Sequence, residues 1–450
     1  MHIIVVGAGN VGYTIARMLS KQHAVMVIED DIKRYDYIVN HLNVGAINAN
    51  GASPKVLKGL ISEETDLILA VTERDETNIF TCMMAKQINS KIVTVARVRN
   101  PDYIEGAMAA KFLNVDHIIS PEYLTAVKLK RIAMIENVIG VESIPSLGVE
   151  MAKFRVTGRK EGVIMVPLRE LPIPKDCRVV VIHRGKQVIV PTVNDVLMKG
   201  DEVTIVGKES ATLEFNKMLG IVREPRDVVI VGGGIVGEHL ATMLERDKLA
   251  VKLIEADENR CRVLAKKLNR TVIINDNGAD PSVLRNENVA MADVLICATT
   301  SEEENLLAAL IGKHLGVSKV ISRYSKREYE EIFSMSGIDA AVGYYHVVAN
   351  EIIKETVQNY EVMILLEKFS EEFFDMKVCP GCRIAGKKMS EIDMPKMSSI
   401  ALVVKGHETI IPTPDTMIEE GDKVFIYALQ SAIAKLEWMF KANIPMGPMG

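Results

Sequence analysis

The sequence predicts an α/β fold: two doubly wound parallel-sheet domains in tandem, each followed by a small α+β lobe. Three observations carry this expectation. A glycine-rich turn closing an apolar run occurs twice, at Gly7 to Gly12 and at Gly232 to Gly237. Each turn opens a set of five short, apolar, β-branched runs spaced by helix-length segments, as expected of parallel strands buried on both faces. After each set the chain turns to short alternating strands and tight turns, from Arg178 to Val190 around Arg184-Gly185 and from Ile400 to Ile411 around Gly406.

The two halves align at an offset of about 225 residues, the length of a whole two-lobe repeat. Val5-Val6-Gly7-Ala8-Gly9-Asn10-Val11-Gly12 pairs with Ile230-Val231-Gly232-Gly233-Gly234-Ile235-Val236-Gly237, and Val27-Ile28-Glu29 with Leu253-Ile254-Glu255. Asn50-Gly51-Ala52 meets Asn277-Gly278-Ala279. Asp66 to Thr72 faces Asp293 to Thr299, each followed by acids and an asparagine, Asn78 or Asn305, and Arg97 faces Arg323. The small lobes align as well, through Pro191-Thr192, Asp195 and Gly200-Asp201 against Pro412-Thr413, Asp415 and Gly421-Asp422. Glycine, charge and proline place the boundary between repeats near Gly220-Ile221-Val222-Arg223-Glu224-Pro225. The domains expected are residues 1–138, 139–222, 223–356 and 357–450.

Bulk properties narrow the function. A chain of 450 residues, 48% hydrophobic and 25% charged, has the make-up of an ordinary globular α/β protein with several cores. A net charge of −5 gives no general attraction to nucleic acid or anionic lipid. The start, MHIIVVGAGN, reads as a strand rather than a signal peptide, and no apolar run approaches the roughly 20 residues needed to cross a bilayer. Any membrane role therefore comes through a partner. The six cysteines, Cys82, Cys177, Cys261, Cys297, Cys379 and Cys382, are too scattered for a disulfide framework and fit a reducing cytoplasm.

Gly7-x-Gly9-x-x-Gly12 follows a predicted strand and opens a helix, which makes these turns a Rossmann-like phosphate cradle. The first glycine permits the turn, the second lets backbone approach a pyrophosphate, and the third lets helix and strand pack closely while the helix N-terminus faces the anion. Asn10 and Val11 supply the first helical amides. Gly232, Gly234 and Gly237, with Ile235 and Val236, meet the same demands. About 20 residues on stand Glu29 and Glu255, placed to accept hydrogen bonds from ribose hydroxyls and to repel a 2′-phosphate. Asp30 flanks Glu29, and Asp31 and Asp257 add negative potential at the same spot. The ligand expected is NAD(H), or ATP, ADP or AMP sharing the same adenosine, with two sites unless one half serves only as scaffold. Thr72 and Thr299 end the fourth strands, where they line the pocket, cap the next helix, or do both. Arg97, Arg99 and Arg323 are open to phosphate, to a subunit interface or to solvent.

Other patterns carry less. Cys379-Pro380-Gly381-Cys382 has the spacing of a zinc half-site or redox dithiol but lacks a second pair, so a tight turn is the preferred reading. No metal site is expected. The nine histidines form no recognisable hydrolytic motif. The small lobes offer no positioned acid or base for hydride transfer, which favours binding without turnover over an NAD-dependent oxidoreductase with a duplicated cofactor domain. A redox-sensing repressor is disfavoured by the acidic balance.

The paired glycine turns, Glu29 and Glu255, the Asn-Gly-Ala turns, the Val-Thr and Ala-Thr strand ends before Asp75-Glu76-Thr77-Asn78 and Glu302-Glu303-Glu304-Asn305, and Ala96-Arg97-Val98-Arg99 together make the chain similar to a known family. It resembles the tandem RCK (or KTN) regulatory subunits of Trk potassium-uptake systems. The resemblance implies two Rossmann-like lobes, each with a crossover helix and a small RCK C-terminal lobe. It implies binding of NAD(H) and adenine nucleotides without catalysis. It further implies a homotetrameric ring of eight RCK units at the inner face of the membrane, beneath a potassium-translocating partner of the TrkH type. By position the pockets would comprise Gly7, Gly9, Gly12, Glu29, Thr72 and Arg97, and Gly232, Gly234, Gly237, Glu255, Thr299 and Arg323. The second half departs from the first in having Ser322-Arg323-Tyr324, one arginine fewer, and the CPGC segment is no part of the pattern.

Overall fold

The computed structural model describes residues 1–21, 23–100, 103, 113–158, 160–220, 223–356, 364–365 and 371–441. Ile221 and Val222 of the expected boundary lie outside the described residues. The first large lobe is a parallel sheet of β1 (His2–Val6), β2 (Ala24–Glu29), β3 (Gly45–Asn48), β4 (Thr65–Ala70), β5 (Val93–Arg97) and β6 (His117–Ile119), in the order β3-β2-β1-β4-β5-β6. Between the strands run α1 (Asn10–Leu19), α2 (Ile32–His41), α3 (Pro54–Leu60) and α4 (Asp75–Ile88), and α5 (Pro121–Met134) follows β6. Strand order reverses between β1 and β4, which opens a crevice at the C-terminal strand ends where doubly wound folds bind ligands. The sixth strand goes beyond the five runs visible in the sequence, because three residues are too few to show a pattern.

The first small lobe is antiparallel, built of β7 (Val138–Ile144), β8 (Val149–Arg155), β9 (Cys177–Arg184), β10 (Gln187–Ile189) and β11 (Glu202–Gly207), and closed by α6 (Glu209–Leu219). The second large lobe repeats the first with β12 (Asp227–Val231), β13 (Ala250–Glu255), β14 (Val272–Asn275), β15 (Val294–Cys297), β16 (Lys319–Tyr324) and β17 (Ala340–Gly343). Its strand order, β14-β13-β12-β15-β16-β17, is the same one. Its helices are α7 (Ile235–Arg246), α8 (Glu258–Lys267), α9 (Pro281–Asn286), α10 (Glu302–Leu315), α11 (Glu330–Met335) and α12 (Tyr344–Thr356). The last lobe has β18 (Ile364–Leu365), β19 (Glu371–Lys377), β21 (Ser398–Lys405), β22 (Glu408–Ile410) and β24 (Lys423–Leu429) in one sheet. A two-strand ribbon of β20 (Lys387–Lys388) and β23 (Met417–Ile418) and the helix α13 (Gln430–Phe440) complete it.

Like pairs with like in space: residues 1–130 and 226–356 form one compact unit, residues 131–225 and 357–450 another. Within the first unit the crossover helices change sides. α12 of the second half packs on α1 and β6 of the first. In return, Tyr123 of α5 meets His239 of α7 edge-on, with ring centroids 5.6 Å apart, and Lys130 of α5 pairs with Asp247 at 2.6 Å. Apolar side chains such as Ile4, Ile28, Leu57 and Ile68, all buried, fill one layer between sheet and helices in the first lobe. Burying each contributes about 1.5–3 kcal/mol.

In the second unit the alternation expected of the small-lobe strands is absent: Val179, Val180, Val181 and Ile182 are all buried. The two small-lobe sheets share a core, with Met151, Val180, Val181 and Val206 packed among Phe373, Leu402, Phe425 and Tyr427, so each sheet is covered on a face that a lone lobe would leave to water. The hairpin turns at Gly185 and Gly406 both have φ of +59°, the left-handed conformation that favours glycine. Among the described residues no helix is long and apolar enough to cross a membrane.

Candidate functional site

In the first lobe β1 runs into Gly7, whose φ of +99° bends the chain beneath the fourth strand; a Cβ there would lie 3.0 Å from the Thr72 amide nitrogen. Gly9 is the N-cap of α1, with no side chain capping the helix and no acid in its first turn. A Cβ at Gly9 would meet only Arg34 Nη1, 3.8 Å away, so this glycine faces open space. Gly12 sits behind the turn, where a Cβ would fall 1.8 Å from the Gly7 carbonyl oxygen, and so it serves helix–strand packing. Uncapped amides at a helix N-terminus offer an anion the hydrogen bonds and partial positive charge it needs.

The crevice beside this turn is a cavity of about 390 Å³. Of the residues expected there, Gly7, Gly9, Asn10, Val11, Glu29, Asp30, Thr72, Arg97 and Arg99 line it. Glu29, 4% exposed, accepts hydrogen bonds from the amides of Ala8 and Asp31, which ties the strand end to the glycine turn. A carboxylate has about four acceptor positions, so two remain for ribose hydroxyls. Asp31, read in the sequence as added negative potential, is the N-cap of α2, accepting from the Arg34 amide at 2.9 Å. Arg34, Arg74, Arg97 and Arg99 line the cavity against the acids Glu29, Asp30 and Glu73, leaving a cationic excess suited to phosphates.

Thr72 does not cap α4, whose N-cap is Arg74. Its amide and hydroxyl both donate to Asn78 Oδ1, at 2.9 and 2.6 Å, while Asn78 Nδ2 donates to the carbonyls of Thr72 and Arg97 at 3.1 and 2.8 Å. Asn78 is fully buried. One side chain thus fixes the ends of β4 and β5, the two strands that carry Thr72 and Arg97 into the cavity.

Arg97 is 8% exposed and reaches the other half of the chain, its Nη2 donating to the Tyr344 hydroxyl at 2.9 Å. That hydroxyl donates in turn to Glu122 Oε1 at 2.9 Å. Arg323, the counterpart of Arg97, stands 5.4 Å from the same ring centroid, and Arg97 stands 5.5 Å from it. Burial pushes the Tyr344 phenol well above its usual value, with Arg97 acting against the shift and Glu122 with it. Burial likewise lowers the guanidinium of Arg323. Nε of Arg97, Nε of Arg323 and Oε2 of Glu122 are buried with no hydrogen-bond partner among the described residues. The buried groups carry two cations and one carboxylate, beside a cavity shaped for an anion, and these features fit a phosphate-bearing nucleotide.

The second lobe repeats the scaffold. Gly232 has φ of +104°, and a Cβ there would lie 2.7 Å from Thr299 N; one at Gly237 would lie 2.0 Å from the Gly232 oxygen; Gly234 caps α7 and faces open space. Ile235 is partly exposed in the first turn and Val236 is buried behind it. Glu255 accepts from Gly233 N at 2.6 Å and Asp257 N at 2.9 Å, and Asp257 is the N-cap of α8. Asn305 clamps Thr299 and Arg323 as Asn78 clamps its pair, but the cap of α10 is Ser301, not Thr299. Arg323 donates to Ser325 Oγ at 2.6 Å, the serine standing where the first half has Arg99.

Across this turn lies a contact that the first half does not repeat among the described residues. Arg260 Nε donates to the Gly233 carbonyl at 2.6 Å, and its Nη2 meets Glu238 Oε2 at 2.5 Å. Lys267 reaches the other oxygen of Glu238 at 2.7 Å. In the first half Tyr13 occupies the position of Glu238, and Arg34, the position of Arg260, pairs with exposed Glu73 at 3.5 Å. Arg327, from the second half, lies 4.5 Å over the Tyr13 ring. The sequence pattern does not mark Asn78, Asn305, Arg34, Arg260, Glu238 or Tyr344 as site residues. The asparagines were visible as repeat landmarks, while Tyr344 is 247 residues from Arg97 and leaves no local signal.

Cys379 and Cys382 form a tight turn, with Cys382 N donating to the Cys379 carbonyl at 3.2 Å and Gly381 at φ of +71°. Among the described residues no group of three or more His, Cys, Asp or Glu could hold a metal ion.

The TrkA-N domain family matches residues 3–121 and 228–343, and the TrkA-C domain family matches residues 160–220 and 374–441. A Trk system potassium uptake protein TrkA homolog of Methanosarcina mazei is 34% identical over 98% of this chain and 100% of its own length. A TrkA homolog of Archaeoglobus fulgidus is 33% identical over the same shares, and the Trk system potassium uptake protein TrkA of Haemophilus influenzae is 28% identical over 98% and 99%. Among solved structures, the GsuK RCK domain superimposes with a TM-score of 0.60 at 18% identity, covering 98% of this chain and 94% of its own. The GsuK channel bound to NAD gives 0.61 at 18%, covering 98% and 78%, a likeness of fold.

Proposed function

The chain belongs to the TrkA family of potassium-uptake proteins, and from that premise we propose that it is a nucleotide-sensing regulatory subunit. It binds NAD(H), or ATP or ADP at the same places, without turnover, and gates a membrane potassium-translocating partner of the TrkH type. The observation that carries this reading is the cavity at the first glycine turn, where free helix amides, Glu29 and four arginines converge. Glu29 is held by backbone amides and Glu73 faces Arg34, while the Tyr344 phenol is buried, hydrogen-bonded and raised, which supports a lining that binds charge.

The reading extends to the assembly. The functional lobes are residues 1–138, 139–222, 223–356 and 357–450, and four chains form a ring of eight units on the cytoplasmic side, held to the membrane through the partner. Nucleotide binding then acts by population shift: a ligand moves the lobes only by as much as it prefers one arrangement over the other. Tyr344 supplies the element both pockets bias, since one ring touches the arginine of each half. The test is potassium uptake by cells carrying the partner with wild-type chain or with Glu29→Ala and Glu255→Ala combined. Loss of nucleotide response is expected; an unchanged response overturns the proposal.

A further inference from the structure

The geometry points to Glu238 as the residue that makes the two nucleotide sites unlike: it sets the second site to take a dinucleotide, while the first takes the more highly charged nucleoside triphosphate. The inference rests on the nucleotide-binding reading and asks which phosphate charge each turn accepts.

Both turns offer the same amides, so selectivity must come from the side chains across them. At the second turn Glu238 stands in the first turn of α7, where the positive end of the helix dipole meets the ligand. It takes up Arg260, whose guanidinium lies on the Gly233 carbonyl, and Lys267 as well. The arginine that lies on the turn is thereby engaged by a carboxylate, and the carboxylate itself repels each added phosphate. Ser325 in place of Arg99 removes a further cation from this side. At the first turn Tyr13 carries no charge, Arg34 is half exposed over the cavity, and Arg74, Arg97 and Arg99 remain in the lining. The cavity lined by four arginines against three acids suits a chain of three phosphates, and the turn whose arginine is paired with Glu238 suits a pyrophosphate with only two charges.

The test uses the full-length chain and calorimetric titration with ATP and with NADH. In a Glu29→Ala background, which leaves the second site to be read, NADH should bind at least tenfold more tightly than ATP, and adding Glu238→Gln should narrow that ratio about tenfold, or roughly 1.4 kcal/mol. The reciprocal change, Tyr13→Glu in a Glu255→Ala background, should weaken ATP more than NADH at the first site. A structure of the wild-type chain determined with equal concentrations of both ligands needs no variant, and should show triphosphate in the first cavity and dinucleotide at the second. Triphosphate at both sites, or ratios that ignore Glu238 and Tyr13, would overturn the assignment while leaving nucleotide binding intact. Absence of any binding to the wild-type chain would overturn the underlying reading together with it.

Discussion

In the first large lobe α1 starts at Gly9 with Tyr13 one turn in, and Arg34 stands loosely over a cavity; in the second, α7 starts at Gly234 with Glu238 one turn in, and Arg260 is drawn down onto the turn. The backbones agree in strand order, in the left-handed first glycine and in the carboxylate that ties strand to turn. Among what differs is one side chain in the helix, and with it the placing of the arginine across the turn. The two halves share the parts that make the cradle and differ in side chains beside it. The shared parts are packing requirements, which a substitution breaks at once; the differing side chains are only partly buried, where a change costs the fold less.

The largest effect should come from the cradle itself. Gly12→Val places its side chain against the Gly7 carbonyl, where even a Cβ has only 1.8 Å, so α1 must move off the sheet and nucleotide binding at the first site should fall more than a hundredfold, about 2.7 kcal/mol. Titration of this variant should leave the second site unaffected; equal loss at both would show that the lobes are not separable. Next in size is Arg97→Ala, which removes a cavity cation together with the Tyr344 hydrogen bond and should weaken the first site by roughly 10- to 100-fold. Arg323→Ala should weaken the second site less, because Arg323 is already engaged by Ser325.

Stability sharpens the comparison in another way. Asn78→Ala strands two backbone carbonyls and an amide at a buried strand end, and should cost about 2–4 kcal/mol, read as a lowered thermal midpoint. Asn305→Ala should cost a similar amount, because the clamp is repeated. Unequal losses would mean that the halves do not unfold with the same cooperativity.

The smallest effect concerns pH and the Glu238 ion pairs of the second lobe. Burial pushes the Glu238 carboxyl up, but hydrogen bonds from Lys267 and Arg260 and their charges more than offset it and hold it below the usual glutamate range. A depressed folded value means that the stabilisation is complete above the ordinary glutamate value and is lost as pH falls through the folded one. Acid unfolding of wild type and Glu238→Gln should therefore differ by about 1 kcal/mol or less at neutral pH and converge as pH falls below the usual glutamate range. A difference that grows on acidification would contradict the ion pair.

The sequence made the fold legible where demand is local. Two glycine turns, two acids and five apolar runs per half suffice for the doubly wound lobes, because each is a steric or burial requirement of a short segment. The paired small-lobe sheets were not legible as such: their strands read as alternating and are buried on both faces, a consequence of packing between segments roughly 220 residues apart in a duplicated chain. In the site, Gly7, Gly9, Glu29 and Arg97 could be named from spacing, whereas Tyr344 and the Arg260–Glu238 contact depend on which elements become neighbours. Arg97, left open in the sequence between phosphate, interface and solvent, lies at the cavity and at the junction of the two lobes together.

The central claim is that each chain holds two adenosine phosphate ligands, one per glycine turn. The most direct measurement is the stoichiometry of NADH and ATP binding to the purified full-length chain by titration calorimetry. Two sites per chain are expected, falling to one with either Glu29→Ala or Glu255→Ala and to none with both. A stoichiometry that neither substitution lowers would contradict the account.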